Sequence, residues 1–395
     1  MLLEKLVIDL QIKDSIIINY LDLIGNNNTF SMNLFKGFDK GQTERILNKL
    51  LELEILDKKY SYECINAEGL INVAEDTSSS CIFCGEEIEH INHAYKVKYV
   101  NRSRKLIEEI SDYEKQKILK IIDERYINNL RLLKKSLSQE KVIPFIGAGT
   151  SIPLGLPNWQ GLIQICSDGL VGRDKDEFEN SLAKGDIFSA IEILTEKSVT
   201  YSEPKIKEEI ASYIKKNLNY HRENLFHNIN DILNLNSDFY LTTNYDDALT
   251  YYQHNGLYPY VVDDIENLQD FFNEKQGRVV HLHGMYQRPK TMIVSKSDYE
   301  EMYSNEKTGL ILGNMVTYKL LFIGFSFEDQ YFKDMYRKLK KYVGGSHYII
   351  LFDAYDRDVQ TLKEIGLQVI SLKLTNEYGY QRVDLIKEVF KYLIK

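Results

Sequence analysis

The apolar positions of this chain change their spacing near residue 141. Upstream, residues 15–24, 31–35 and 41–53 carry apolar side chains at helical steps, and 55–58 and 60–65 predict a short hairpin. In the third of these helices Ile46, Leu47, Leu50, Leu51 and Leu53 form the apolar face, leaving Gln42, Arg45, Asn48 and Lys49 on the other side. Residues 74–80, Ala-Glu-Asp-Thr-Ser-Ser-Ser, are polar and aperiodic and read as a linker. Helical spacing returns over 101–140 with Leu106, Ile107, Ile110, Ile118, Ile121 and Ile122, which predicts a helical connector. Beyond it stand six short apolar runs: Val142–Ile146, Phe239–Thr242, Val279–Leu282, Leu320–Ile323, Tyr348–Phe352 and Gln368–Leu372. The segments between them are long enough for crossover helices. Residues 141–395 therefore predict an α/β domain, a Rossmann-like, doubly wound, mostly parallel six-stranded sheet with helices on both faces.

The order of elements over residues 1–75, mainly helical with a terminal hairpin, resembles a winged helix. Its third helix reads either as a DNA recognition helix or as part of a protein-interaction copy of the same fold. Glu44, Glu52 and Glu54 on or beside it favour the second, because anions near phosphates weaken binding. The whole-chain charge of -9, with Lys and Arg interspersed among Asp and Glu, agrees: direct nucleic-acid binding is not expected. The amino-terminal run has charges inside it and no small-residue cleavage site, and no stretch approaches the ~18 uninterrupted apolar residues of a membrane span. The expectation is a cytoplasmic protein, and the four cysteines in 395 residues are too few for a disulfide scaffold.

Residues 76–100 contain Cys81-Ile-Phe-Cys84-Gly and, shortly after, His90 and His93. Zinc takes four thiolate or imidazole ligands in a tetrahedron, and a Cys-x-x-Cys turn holds two thiolates on one ion. The spacing to the histidines is shorter than in a standard finger, so Cys81, Cys84, His90 and His93 suggest a compact zinc knuckle. The other reading is a pair of reduced cysteines packed beneath a small sheet, with the histidines at the surface.

Ligands of parallel α/β sheets bind at the carboxyl ends of the strands. The first run ends in Gly147-Ala148-Gly149-Thr150-Ser151, followed by Gly155-Leu-Pro-Asn-Trp159. Glycines there let the backbone approach a pyrophosphate. The second run ends in Leu241-Thr-Thr243-Asn244-Tyr-Asp246-Asp247 and the third in Val280-His281-Leu-His283-Gly284. The fourth ends in Phe322-Ile-Gly324-Phe-Ser326-Phe-Glu-Asp329, and the fifth in Phe352-Asp353. An amide, a carboxylate and an imidazole, each just past a buried strand, would converge on one crevice.

This order, Gly-Ala-Gly-x-Ser, Thr-x-Asn-x-Asp, His-Gly and Gly-x-Ser, resembles the sirtuin family over about 250 residues. Gly-Leu-Pro-x-Trp and Gly-Phe-Ser-Phe-x-Asp are similar to the sirtuin-like branch of bacterial antiphage defence proteins. Two departures are visible. Sirtuin deacylases carry a zinc ribbon between the His-Gly and Gly-x-Ser motifs, whereas residues 284–322 contain no cysteine. Their Pro-Asp-Phe-Arg is replaced by Pro157-Asn-Trp-Gln160. The resemblance thus implies NAD+ cleavage with water as acceptor rather than protein deacylation.

It further implies that Asn244 positions the ribose or the attacking water, that Asp246 holds the nicotinamide carboxamide, and that His283 is the general base. Gly147, Ala148, Gly149 and Ser151 would contact pyrophosphate and ribose, Gly324 and Ser326 the adenosine half, with Thr243 and Asp353 completing the set. NAD+ hydrolysis unrestrained would kill the cell, so the resemblance implies gating, by homo-oligomerisation, a partner translocase ATPase or a phage-derived trigger. The alternative is a sensor that binds NAD or ADP-ribose without cleaving it and signals through its winged helix.

Overall fold

The computed structural model describes residues 2–139, 141–218, 220, 226–253, 256–273, 277–325, 333, 336–337, 340, 346–374 and 382–394. The chain divides into two compact units, Met1–Lys117 and Ile118–Lys395, with the boundary inside the helix Leu106–Ile121.

In the first unit the helices Leu2–Leu10, Asp14–Gly25 and Lys40–Glu52 enclose a core that includes Leu6, Ile17, Leu21, Ile46 and Leu50. The first of these helices lies outside the elements expected from the sequence. Asp39 starts the third by accepting the Gln42 N–H at 2.7 Å, an N-cap that satisfies one of the orphan donors of the first turn. The cations of this helix are tied to the unit itself: Lys49 Nζ lies 3.0 Å from Asp9 and 2.8 Å from Glu52, and Arg45 donates to the Leu10 carbonyl.

Four antiparallel strands, β1 (Thr29–Phe30), β2 (Leu56–Cys64), β3 (Ile71–Ala74) and β4 (His93–Asn101), form a sheet in the order β1-β4-β2-β3. The hairpin expected within 55–65 is instead one continuous strand, because Asp57-Lys-Lys-Tyr60 holds no residue that favours the positive φ of a tight turn. Its long partner is β4, in register from Leu56↔Asn101 to Cys64↔His93. Residues 76–100 therefore do not stand apart from residues 1–75; their last strand is the centre of the same sheet.

The second unit is built on seven parallel strands: β5 (Val142–Ile146), β6 (Phe239–Thr242), β7 (Tyr258–Val261), β8 (Arg278–His281), β9 (Lys319–Ile323), β10 (His347–Phe352) and β11 (Leu367–Leu372). Their order is β11-β10-β9-β5-β6-β8-β7. The sheet has one strand more than the six expected. The addition, β7, reads Tyr-Pro-Tyr-Val, mostly exposed; its proline withholds a ladder donor, so the segment suits an edge and gives no buried apolar run.

Alternation along the strands feeds two cores, one on each face. On β9, Leu321 and Ile323 join a cluster with Val279 and Ile370, while Leu320 and Phe322 join one with Ile143 and Val280. A helical layer between β5 and β6 adds a third cluster around Ile163, Phe178, Leu194 and Ile210. The later half of the expected connector belongs to this unit as well: Ile118, Ile121, Ile122, Leu130 and Leu133 lie in the first of these cores. Asn129 Nδ2 donates to the Val369 carbonyl at 2.7 Å, and the Lys373 N–H to the Ile121 carbonyl at 2.8 Å. Five apolar side chains at helical spacing need a sheet to cover them, which is why 118–139 docks rather than spans.

From β5 the chain adds β6 alongside, passes to the edge strand β7 and comes back to place β8 between the two, then crosses to add β9, β10 and β11 in turn on the other side. The switch point therefore lies between β5 and its neighbours β6 and β9, the place where such sheets open a crevice at their carboxyl ends.

Phe322 is fully buried and stacks on Phe145 with ring centroids 4.9 Å apart. Phe322→Ala should lower the unfolding free energy by about 3–5 kcal/mol, the usual cost of a cavity this size, read from the urea midpoint.

Candidate active site

The turns leaving β5 and β9 interlock. Gly147 N–H donates to the Ile323 carbonyl at 2.8 Å and Gly149 N–H to the Gly324 carbonyl at 2.9 Å. Gly324 sits at φ +74°, and a Cβ on it would come within 2.8 Å of Thr150 N and 2.9 Å of the Gly147 oxygen. Thr150 and Ser151 donate their backbone N–H groups back into the same turn, to Gly147 and Ala148. The turn thereby places two hydroxyls, Thr150 and Ser151, at the carboxyl end of β5.

Past β6, Asn244 points its amide nitrogen into that turn. Nδ2 donates to the Gly147 carbonyl at 3.1 Å and to Ser151 Oγ at 2.9 Å, with Thr150 Oγ1 at 3.4 Å. The carbonyl fixes the amide orientation, since it can only accept. Oδ1, the other end of the amide, is buried with no partner among the described residues. Ser151 Oγ in turn donates to Asp246 Oδ2 at 2.7 Å, and Asp246 Oδ1 accepts the Ala248 N–H at 3.1 Å. Burial raises the Asp246 carboxyl above the ordinary carboxylate range, against the Ser151 and Ala248 hydrogen bonds. Among the described residues no cation pairs with it. Asn244, Ser151 and Asp246 thus form one buried chain across β5 and β6.

Two histidines stand two residues apart, His281 closing β8 and His283 just past it. His281 Nδ1 lies 3.0 Å from the Asn244 carbonyl, so Nδ1 carries the proton and Nε2 is the bare acceptor. That Nε2 is buried without a partner among the described residues. Burial depresses the His281 pKa; the Asn244 carbonyl and, more weakly, Asp247 oppose the shift. His283 faces two phenols instead: Nε2 lies 2.7 Å from Tyr303 Oη and Nδ1 3.5 Å from Tyr299 Oη. Gly284 follows at φ +78°, where a Cβ would stand 2.1 Å from the Thr291 oxygen, so the segment after His283 can turn back only through glycine. The tyrosines come from the helix Lys296–Ser304, inside the stretch where sirtuin deacylases carry their zinc ribbon.

Thr150, Thr242, Asn244, Asp246 and His281 line a cavity of about 10 Å³, closed on its other side by Ile146, Ile229, Ala248 and Leu249. That is the scale of one water-sized group and far below the several hundred Å³ of a typical ligand pocket.

The remaining candidates fall in different places. Ala148 and Thr243 are half-buried beside this chain, and Thr243 N–H donates to the Ile146 carbonyl at 3.2 Å. Ser326 and Asp329 lie outside the described residues. Asp353, exposed at the end of β10 with φ +44°, uses Oδ1 to accept the Leu374 N–H at 3.0 Å, which ties the exit of β11. His281, Tyr299 and Tyr303 were given no role by the sequence. His281 repeats the buried parity of its strand, and the tyrosines lie a helix away from the histidine they touch.

The cysteines form a separate cluster in the first unit. Cys81, Cys84 and His93 converge there, but His90 does not: it is exposed, and its Nδ1 accepts the Asn92 N–H at 3.3 Å. Cys64, from the end of β2, takes its place.

An open parallel sheet with amide, carboxylate and imidazole groups gathered at its switch point defines a Rossmann-like α/β domain. Comparison with known proteins narrows this. Residues 238–370 match the family described as SIR2-like domain. The chain is also 27% identical over 228 residues to the NAD(+) hydrolase ThsA of Cytobacillus dafuensis, a match covering 54% of this chain and 42% of that protein. The shared part is thus less than half of the relative's length. The α/β unit is sirtuin-like, as its strand-end motifs indicate.

Two outcomes follow from the geometry. Ser151→Ala removes the donor to Asp246 and an acceptor of Asn244 while burying both, so it should cost about 1–3 kcal/mol of stability in urea unfolding. His281 should titrate below an unfolded histidine and be an Nδ1–H tautomer when neutral, seen in nitrogen-detected imidazole spectra. Its folded pKa lies below the unfolded value, so it contributes stability above the unfolded histidine pKa of ~6.5 that is lost as pH falls through the folded one.

Proposed function

We propose that the α/β unit is an NAD+ hydrolase that cleaves the nicotinamide–ribose bond to give nicotinamide and ADP-ribose. The observation that carries the reading is the buried chain Ser151–Asn244–Asp246 at the switch point, with His283 at the end of the adjoining strand β8. The similarity to a named NAD(+) hydrolase supports it.

Cleavage passes through a ribosyl cation. The C1′–N bond breaks with its electron pair moving onto the nicotinamide nitrogen, which loses its positive charge. Water adds its oxygen to C1′ and gives up a proton. Asn244 Oδ1, a buried acceptor with its Nδ2 already engaged, is suited to hold a ribose hydroxyl or that water. His283 takes the proton, with Tyr303 Oη at 2.7 Å as the group that holds the ring or passes the proton on. Asp246 is a buried carboxylate held by a hydroxyl and an N–H, and in its ionised form it favours a cation at the sugar or the pyridinium. Gly147, Ala148, Gly149, Ser151 and Thr243 border the place of the pyrophosphate and ribose, with Gly324 towards the adenosine half.

The cavity of about 10 Å³ beside Asn244 and His281 is the size of a single water and would hold only that part of the reaction. The gate we infer is homo-oligomerisation, a partner ATPase or a phage-derived trigger, acting in the cytoplasm as a toxic NAD-depleting effector of antiphage defence. The first unit would serve control rather than DNA binding, since Lys49 and Arg45 are engaged within it.

Purified protein should release nicotinamide from NAD+, alone or with lysate of infected cells, and His283→Ala and Asn244→Ala should each lower the rate by about 10²–10⁴-fold while melting as the wild type does. A folded His283→Ala protein with full turnover removes the assignment. NAD binding without cleavage under every condition favours a non-catalytic sensor.

A further inference from the structure

We propose that Cys64, Cys81, Cys84 and His93 bind one structural Zn²⁺ that holds the 65–92 excursion of the first unit. Their ligand atoms all lie within 4.8 Å of one another, and Cys84 Sγ is 3.3 Å from His93 Nε2. Thiolate and imidazole ligands about 2.3 and 2.0 Å from one ion stand roughly 3.5–3.8 Å apart in a tetrahedron, so small side-chain movements close the site. The spread is too tight for ligand pairs on two separate irons, and the soft N/S donor set selects zinc over hard cations.

The sheet and the turn build this tetrad from both sides. β2 and β4 place Cys64 and His93 directly opposite each other in antiparallel register. The Cys-x-x-Cys turn is closed by Gly85 N–H donating to the Cys81 carbonyl at 2.9 Å and Cys81 N–H to the Glu86 carbonyl at 2.7 Å. The Phe83 N–H points at Cys81 Sγ from 3.4 Å, as backbone donors do around zinc-bound thiolates. Cys64, Cys81 and His93 are buried and Cys84 partly so.

Apolar packing alone does not hold this excursion. Its buried cluster consists of Tyr62, Cys64, Cys81 and Ile88, while Ile65, Leu70, Ile71, Ile82 and Ile91 are exposed. A segment with so small a core takes its stability from a cross-link or a metal, and all four thiols of the chain are free in this structure. The site differs in place and ligands from the ribbon of sirtuin deacylases, and it does not depend on the NAD reading.

The test is metal analysis of the full-length protein purified without chelators, beside Cys64→Ser and His90→Ala. The expected result is about one zinc per chain in the wild type and in His90→Ala, and loss of zinc in Cys64→Ser. Cobalt exchanged into the wild type should give tetrahedral d–d bands with thiolate charge transfer, and a mercurial should release zinc as thiols are titrated. These two readings decide the matter if Cys64→Ser does not fold. Chelation should also open 65–92 to protease. Wild-type protein without zinc after growth in zinc-supplemented medium, Cys64→Ser retaining full zinc, or a Cys81–Cys84 disulfide found by mass spectrometry would each overturn the site.

Discussion

Between β5 and β9 two backbone turns touch with no room for a side chain. Gly324 must hold φ +74° while a Cβ on Gly147 would meet its carbonyl oxygen at 2.6 Å, and one on Gly149 would meet its Cα at 3.0 Å. This contact is what the crevice depends on. It sets the height at which the β5 turn leaves the sheet, and so where Thr150 and Ser151 present their hydroxyls. Those hydroxyls orient Asn244, and Ser151 also carries the bond to Asp246. A side chain at any of the three glycines would move the turn, and the polar chain built on it would lose its geometry before any residue of that chain was changed. The glycines thus act here through close packing of two turns. Four of the β5 turn's N–H groups, those of Gly147, Gly149, Thr150 and Ser151, are already spent on internal carbonyls.

Much of the sheet was legible because its central strands are buried on both faces and read as continuous apolar runs. The edge strand β7 was not, since an edge needs only one covered face and tolerates Pro259. In the first unit the difficulty was distance along the chain. Nothing local to Leu56–Cys64 says that its long partner is His93–Asn101, about thirty residues on and beyond the short strand β3, rather than the residues next to it in the chain. The same gap hid Cys64. Spacing brings Cys81, Cys84, His90 and His93 together on paper, whereas antiparallel register puts Cys64 across from His93 and leaves His90 in solvent.

The placement of the candidate residues was legible for the converse reason: a polar residue just after a buried run lies at the carboxyl edge of the sheet. Asn244, Asp246 and His283 follow this rule. Asp353 obeys it too, yet it lies at the end of β10, beyond β9, and spends its carboxylate on the Leu374 N–H. Position after a strand therefore selects candidates, and strand order decides among them. His281 was passed over because it is the last residue of the strand itself and not one after it, and only the Asn244 carbonyl at 3.0 Å shows it as part of the frame that holds the amide.

That frame explains how one short segment can present two histidines for different purposes. His281, bound through Nδ1 to the backbone at Asn244, is locked as a neutral acceptor and links β8 to the β6 exit. His283 is hydrogen-bonded to Tyr303 and Tyr299 and takes no part in that link. In the hydrolase reading proposed above, where His283 is the base, such separation is useful, because a histidine that also holds the sheet ends together would strain them each time it titrated. The phenols come from a helix inserted where deacylases place a metal ribbon. In this chain that helix supplies hydrogen-bonding partners to the histidine, Tyr303 at 2.7 Å and Tyr299 at 3.5 Å. The same two tyrosines hold the ring in place at the carboxyl end of the sheet.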